Sequence, residues 1–501
     1  MNQEVELKLS LPARALPALR RHPVVAAATK LGNAVTLDNT YYDTPELALK
    51  ARRVAVRTRR QGRQWLQTVK CAAVSSGGLS ARPEWEAPYA DGFDFSMVDA
   101  PEVGRLLARH AERLVPVFTT RFRRETRRCQ PREGVSILLM IDHGSILAGE
   151  RTRPICELEL ELEQGEALDL LELARTLVAD LPLLPADESK AARGYRLFLD
   201  EPLAPAKAED SAIAAGDDVV DAFRELAFAC VRQWQANVAA IAEGADGPEF
   251  IHQLRVALRR LRSLLKIFAP ALPAEFVSGW NARLRDNANA FGDARDLDVL
   301  YTELLAPVVA DELADDARFH ARLLAFAATR REEARLAAEH AMDAAAQGRL
   351  LLELSTELTR LQSNSLIAAA DLRTFARLRL ERLRKRARRS FKAAGELVPT
   401  RLHALRIAFK QLRYGIEFLA PLFPPKALAR YQKKLVAAQA TLGFLQDLDI
   451  ARLRFADWSG ADADLRAATF FVLGWHAPRY AAVRQTVLRD CEPLLWGKTP
   501  W

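Results

Sequence analysis

The sequence predicts an α+β protein whose two structural classes are segregated along the chain. An antiparallel β region with a few helices runs to about residue 200, and an all-α region runs from Asp217 to near the C-terminus. Three observations carry this reading. Short segments with apolar residues at every second position, among them RRVAVRTRR, RQWLQTVK, SILLMID and ICELELELE, fill the first part and are broken by Gly and Pro. The stretch DEPLAPAKAEDSAIAAGDD carries Pro, Ala and acidic residues without periodicity, and reads as a linker over residues 201–216. Beyond it, runs rich in Ala, Leu and Arg place apolar residues at i, i+3, i+4 and i+7, the period of a helix buried on one side.

Composition narrows the function classes. With 501 residues and 50% apolar content the chain is long enough for two to four domains, each with its own core. It contains no apolar run of membrane-spanning length, and Glu4 and Glu6 stand where a secretory signal needs a basic and then apolar start, so no membrane association and a cytoplasmic location are expected. Cys71, Cys129, Cys156, Cys230 and Cys491 are scattered without metal-ligand spacing and read as free thiols. A net charge of +8 points to an anionic partner, either nucleic acid or another phosphate polymer.

The first strand, EVELKL, sets Glu4, Glu6 and Lys8 on one face and Val5, Leu7 and Leu9 on the other. The same segregation recurs: Arg57 with Arg59, Arg82 with Glu84 and Glu86, Arg121 with Arg123, and Glu157, Glu159 and Glu161 opposite Leu158, Leu160 and Leu162. A solvated face accounts for any one of these strands, since antiparallel sheets commonly have one wet side. Taken together, faces that are carboxylate-only or largely arginine-only favour a closed sheet with its charge turned inward. There, arginines and lysines would hold phosphate oxygens and clustered carboxylates a divalent ion.

EVELKL, YYDTPELAL, VRTRR, TVK, RPEWE, ICELELELE and SKAARGY, in that order over about residues 1–200, resemble the CYTH superfamily, the triphosphate tunnel metalloenzymes. The resemblance implies an eight-stranded antiparallel β tunnel that binds triphosphate groups with Mg²⁺ or Mn²⁺. It implies Glu4, Glu6, Glu157 and Glu159 as metal ligands, with Glu161 further along the strand. Lys8, Arg57, Arg59, Lys70, Arg82, Arg121, Arg123, Lys190 and Arg193 are implied as phosphate-binding groups. Tyr41 matches a tunnel tyrosine that pairs with the motif lysine in some members, so Lys8 and Tyr41 are the expected catalytic pair; simple packing is the other role open to Tyr41. Asp142, in IDHG, is read as a turn residue before Gly144 in preference to a carboxylate behind the site.

The helical half contains a repeat. IHQLRVALRRLRSLLKIF aligns without gaps on LHALRIAFKQLRYGIEFL, His252 falling on His403, and FGDARDLDVL aligns on LGFLQDLDIA, Gly292 falling on Gly443. Both offsets are 151 residues (403 − 252 and 443 − 292), which implies two copies of one helical unit. His252, Arg255, Arg259, Arg262 and Lys266 step along one helix face, and His403, Arg406, Lys410 and Arg413 repeat the stripe. The acids of RDLD and QDLD (Asp296, Asp298, Asp447, Asp449) recur with the stripe and are read as braces for these cations in preference to plain surface polar residues. The features resemble the CHAD domain, which is often fused to CYTH and binds inorganic polyphosphate through His, Arg and Lys; the two stripes would then form a polyphosphate groove. The second copy departs from the first with Lys410 for Arg259 and Gln446 for Arg295. A further basic helix, Arg377 to Lys392, either extends that groove or is solvated.

The C-terminal WGKTPW is not a phosphate-binding P-loop, because Glu492 stands where the loop needs Gly. The expected function is therefore metal-dependent hydrolysis of inorganic triphosphate with polyphosphate bound by the helical domain. A nucleoside or thiamine triphosphatase of the same fold, or a non-catalytic polyphosphate- or RNA-binding protein, are the alternatives. RNA is disfavoured because no aromatic residues interleave the basic stripes as stacking platforms.

Overall fold

A computed structural model of the chain describes residues 3–71, 75–90, 92–310, 317–362, 371–460 and 462–501, the side chains of Gln3, Arg82 and residues 317–320 excepted. The chain forms two compact units. The first gathers residues 1–206 with 231–246 and 343–360; the second comprises 207–230, 247–342 and 361–501.

The first unit is built on ten strands: β1 (Gln3–Ser10), β2 (Thr29–Lys30), β3 (Val35–Asp43), β4 (Val54–Gln61), β5 (Gln64–Cys71), β6 (Leu79–Pro88), β7 (Val115–Cys129), β8 (Ser136–Ala148), β9 (Arg151–Gln164) and β10 (Leu184–Pro185). Their order is β1-β6-β5-β4-β3-β7-β8-β9, and β9 pairs back with β1, so eight antiparallel strands close into a ring. The two-residue strands β2 and β10 hang on β7 and β1. Closure follows from β1 serving two neighbours: Glu4 faces Arg82 and Glu6 faces Ser80 across β6, while Glu6 faces Glu161 and Lys8 faces Glu159 across β9.

Alternation decides which face turns in. Leu7, Leu9, Ile137, Leu139, Ile141, Leu158 and Leu160 point outward into a core shared with Leu170, Leu171, Ala174 and Leu177 of the helix Ala167–Val178. On another wall Val54, Val56, Val69 and Trp85 pack with Leu107 of the helix Pro101–His110. With helices covering the apolar outer face, the charged inner face is enclosed. Leu37, Tyr41, Phe118, Phe122, Ile146 and Ile155 form a separate cluster with Tyr195 from the helix Lys190–Phe198. Gly194 permits that close approach, because a β-carbon there would overlap the Phe118 ring.

The helix Ala344–Arg360 packs on the helix Ala167–Val178 and on β10. Leu352 is wholly buried in the outer core of β1 and β9, and a β-carbon at Gly348 would collide with the Leu183 carbonyl. The segment lies in the long stretch whose periodicity indicates helices, and nothing in that pattern links it to the β unit.

In the second unit the repeat is visible in the element boundaries. Pro248–Phe268 and Pro399–Leu419 are both 21-residue helices that open on Pro at the first turn, and a short 3₁₀ turn follows each. The next helix of the second copy runs unbroken over Pro425–Ser459, whereas its counterpart is divided into Ala274–Asn289 and Gly292–Val299. Residues 201–214 carry no regular structure.

Because Leu352 has no exposed surface, Leu352→Ala should destabilise the first unit by about 2–5 kcal/mol through lost transfer energy and the cavity left behind. Denaturant unfolding checks this; a loss under about 1 kcal/mol would mean the helix is only loosely attached.

Candidate active site and basic helical face

The ring encloses a cavity of about 1270 Å³ lined by Glu4, Glu6, Lys8, Tyr41, Arg57, Arg59, Lys70, Glu84, Glu86, Arg124, Glu159, Glu161 and Lys190, among others. Its charges are interleaved. Lys70 lies 3.1 Å from Glu4 and 2.5 Å from Glu84, Arg57 lies 3.8 Å from Glu84, and Arg59 lies 3.9 Å from Glu86. Lys8 stands between Glu6 at 3.9 Å and Glu159 at 3.8 Å. Arg124 grips Asp142 at 2.6 Å and Glu159 at 2.5 Å, and Lys190 reaches Asp142 at 2.7 Å, Glu159 at 3.0 Å and Glu157; Arg193 also pairs with Glu157.

These pairings set the protonation states. Burial alone would push Glu159 up, but Lys190, Arg124 and Lys8 outweigh it and hold the carboxyl well below its usual range. Glu157 is lowered against the same burial by Arg193 and Lys190, and Glu84 falls to about 2 through Glu4, Lys70 and Arg57. Glu161 behaves oppositely: burial and the facing carboxylates of Glu4 and Glu6 push it up to about 7. Arg59 is lowered to about 10 by burial and by repulsion from Arg57 and Arg124.

Most of the residues singled out in the sequence converge here, and three details differ. Arg121 and Arg123 lie on the exposed outer face of β7, Arg121 beside Asp38 at 3.3 Å, and Arg124 takes the inward place. The R-x-R spacing was read in the wrong phase. The inward phase is set by Phe118, Thr120 and Phe122, all buried, which put Arg124 opposite Asp142 across β8. Asp142 is not in a turn but in the middle of β8, with no exposed surface and two cationic partners. Tyr41 receives its side-chain hydrogen bond from Arg57 at 3.5 Å rather than from Lys8, and its ring stacks on Phe118 at 4.5 Å. Its phenol is lowered despite burial because Arg57, Lys190 and Lys70 surround it. The Arg82 backbone lies on β6 opposite Glu4, and its side chain lies outside the described residues. Glu84 and Glu86 share the inward face that the sequence marked, and serve there as partners of the cations.

Among the described residues one carboxylate cluster is compact enough to hold a metal ion, and Glu4, Glu6 and Glu161 stand near it on facing strands. Oxygens of Asp142, Glu157 and Glu159 lie within 4.8 Å of one another, but Lys190, Arg193 and Arg124 already neutralise them. Glu161 rises chiefly through burial, with Glu4 and Glu6 adding to it against the pull of Lys70 and Arg124. All donors are carboxylate oxygens, the ligands preferred by Mg²⁺ and Mn²⁺.

In the helical unit the two stripes come together. Arg259 donates to the Tyr414 hydroxyl at 2.7 Å, and Arg406 and Lys410 both feel the charge of Arg259. Arg255 donates to the Ala288 carbonyl at 2.8 Å beside Gly292, and Arg406 stands beside Gly443, its equivalent one repeat later. His403 bonds Gln446 at 2.7 Å. Asp447 lies 3.8 Å from Arg406, whereas Asp298 and Asp449 turn to Arg331 and Tyr480 at 2.5 and 2.9 Å, so only part of the acid repeat braces the stripe. Burial and the neighbouring cations Arg406, Arg259 and Arg413 bring Lys410 down to about 7, and burial with Arg295 brings His252 to about 4. Burial with neighbouring cations also lowers Arg262 and Lys266. In the helix Leu372–Ala393, Arg384 and Arg388 are spent on the Gly497 and Leu495 carbonyls, while Arg386 adds to the charge around Lys266.

The phase assignment can be tested by stability alone. Arg124→Met leaves Asp142 and Glu159 to share Lys190 and should cost about 1.5–3 kcal/mol, whereas Arg123→Met should change stability by less than about 0.5 kcal/mol in denaturant unfolding.

Residues 2–195 match the CYTH domain and residues 225–456 the CHAD domain. The chain is 30% identical over 203 residues to the inorganic triphosphatase of Haemophilus influenzae, a match covering 39% of this chain and 55% of that protein, so it spans about half of the relative's length. It also resembles the crystal structure of the CHAD domain from the plant Ricinus communis, with 26% identity, a TM-score of 0.50, and coverage of 60% of this chain and 99% of that one. The protein thus carries a CYTH domain followed by a CHAD domain.

Proposed function

We propose that the cavity binds inorganic triphosphate and hydrolyses a phosphoanhydride bond with the aid of a divalent ion, and that the basic helical face binds inorganic polyphosphate. The observation that carries the first part is the row of cations lining the cavity, Lys8, Arg57, Arg59, Lys70, Arg124 and Lys190, each held against a carboxylate. A polyanion entering the cavity can take over these cations, since phosphate oxygens offer them the same charge-assisted hydrogen bonds as the carboxylates they replace. The likeness of the β unit to an inorganic triphosphatase supports the reading.

Hydrolysis requires a water oxygen to bond to phosphorus while the bridging P–O bond breaks and its electrons leave on the diphosphate. Little covalent work falls to the protein; positioning and charge compensation do most of it. Lys8, central between Glu6 and Glu159, is placed to meet the transferring group, and Arg57 and Arg59 with Lys70 hold the rest of the chain from the opposite walls. Tyr41 orients Arg57. Glu4, Glu6 and Glu161 would hold the ion, Mg²⁺ or Mn²⁺, with Glu159 adjoining. Bound there, it would supply charge neutralisation of the phosphoryl oxygens.

Phosphate release from tripolyphosphate, ATP and thiamine triphosphate, each with Mg²⁺ and Mn²⁺, tests this. Tripolyphosphate should be preferred by at least about tenfold in kcat/KM, and Glu6→Gln should lose activity most at limiting metal. Faster turnover of ATP or thiamine triphosphate would move the assignment to that substrate, and no release from any would remove it.

Polyphosphate binding by the second unit is supported by the convergence of two cationic stripes whose lysine and arginines are lowered by burial and mutual repulsion. An anion relieves that repulsion, so bound polyphosphate should raise the Lys410 ammonium. Above pH 7 free Lys410 loses its proton while the bound form keeps it, and affinity should fall as pH rises, by up to about tenfold per unit. Titration calorimetry at pH 6.5 and 8.5 checks the sign, and Lys410→Arg should flatten the dependence.

A further inference from the structure

Lys8 is held by its backbone as well as by its side chain. Its N–H donates to the Gly78 carbonyl at 2.9 Å, and its own carbonyl accepts from the Ala186 N–H at 2.9 Å. A hairpin and a strand end therefore grip one residue of β1 from two sides. The hairpin turns at Gly77 and Gly78, with φ of +65° and +82°, and its ends exchange hydrogen bonds between Ser76 and Leu79. Two consecutive positive φ angles are what a two-residue hairpin of this hand requires. At Gly78 a β-carbon would also stand 2.5 Å from the Lys8 carbonyl oxygen.

The two grips are tied together by one carboxylate. Asp187, adjacent to Ala186, accepts from the Ser75 hydroxyl at 2.5 Å and from the Gly78 N–H at 2.9 Å through the same oxygen. It also accepts from the Gln235 side chain. Arg232, three residues before Gln235 and so on the same helix face, donates to the Ser76 hydroxyl at 2.7 Å. Ser355 of the helix Ala344–Arg360 closes over Gly77 so tightly that a β-carbon there would lie 2.5 Å from its hydroxyl. Asp187, Arg232, Gln235 and Ser355 all belong to the β unit, although three of them lie far beyond its strands in sequence.

We propose that Asp187, held by Gln235 and seconded by Arg232 on Ser76, is a positioning residue that fixes the Lys8 peptide and thereby aims the Lys8 ammonium into the cavity. The proposal rests on the reading of Lys8 as the group that meets the transferring phosphoryl. Besides its strand pairing, the Lys8 peptide is held by the Gly78 carbonyl and the Ala186 N–H, which Asp187 ties together, so removing Asp187 loosens both grips while the remaining cavity cations stay anchored on β4, β5, β7 and the helix Lys190–Phe198. Ground-state binding, spread over those cations, should survive, and alignment in the transition state should not. Burial raises the Asp187 carboxyl even against its hydrogen bonds, which makes a neutral amide an acceptable replacement. The Gln235 Oε1 has no hydrogen-bond partner among the described residues, and the amide of an asparagine at 187 can donate to it.

The test uses the full chain with Asp187→Ala, Asp187→Asn and Gln235→Ala, read by hydrogen exchange over residues 4–10 and by steady-state kinetics on tripolyphosphate with Mg²⁺. Asp187→Ala should speed exchange at the Lys8 amide and lower kcat about tenfold with KM within about threefold of wild type. Asp187→Asn should restore both, and Gln235→Ala should show the same split in weaker form, which keeps the test open if Asp187→Ala unfolds. Wild-type exchange at Lys8 together with wild-type kcat in Asp187→Ala or Gln235→Ala would overturn the proposal, as would failure of Asp187→Asn to rescue a folded chain. If the wild type hydrolyses no triphosphate, the triphosphatase reading falls, and the exchange rate at Lys8 still decides whether Asp187 fixes that peptide.

Discussion

Charge compensation inside a closed sheet is the constraint on which the β unit depends. Once β9 pairs back with β1, every inward side chain of eight strands shares one poorly solvated space, and an isolated ion there would be costly. The sequence meets this by register: Lys8 opposite Glu159, Arg124 opposite Asp142, Lys70 opposite Glu84. Such buried pairs contribute little net stability, because desolvation offsets most of their attraction. The stability of the unit comes instead from the apolar outer faces under their helices, and the inner charges are retained at some cost.

Charge is arranged differently in the second unit. Its cationic stripes are only partly matched by acids, so Arg255, Arg406 and Lys410 are all lowered by burial and by neighbouring cations, with Arg259 among them in each case. An enclosed cavity can afford to keep its cations neutralised until a defined ligand exchanges with the carboxylates. An open groove for a linear polymer gains more from standing positive charge, which releases counterions along the whole chain.

Much of this was legible in the sequence. Alternation in EVELKL and ELELELE placed the carboxylates and Lys8 inward because side-chain period is fixed by strand geometry, and the repeat offset of 151 residues reappears in the helix boundaries. What failed was phase and partnership. Arg121, Arg123 and Arg124 are consecutive enough that only the buried run Phe118, Thr120, Phe122 and the cross-strand Asp142 decide which arginine enters. Asp142 before a glycine looked like a turn, yet Gly144 lies inside β8, where a β-carbon would collide with the Arg121 carbonyl. The packing of residues 231–246 and 343–360 with the strands, and the grip of Asp187 on the hairpin, join positions more than a hundred residues apart; no local pattern encodes them.

Triphosphate inside the ring would lie beside an ion held by carboxylates of β1 and β9. Phosphorus-31 relaxation of an imido analogue of tripolyphosphate, which resists hydrolysis, in the presence of substoichiometric Mn²⁺ measures that proximity directly. The full chain should broaden all of its phosphorus resonances, and Glu4→Gln with Glu6→Gln should abolish the effect. Broadening that is unchanged in that double variant, or absent in the wild type, would contradict the account.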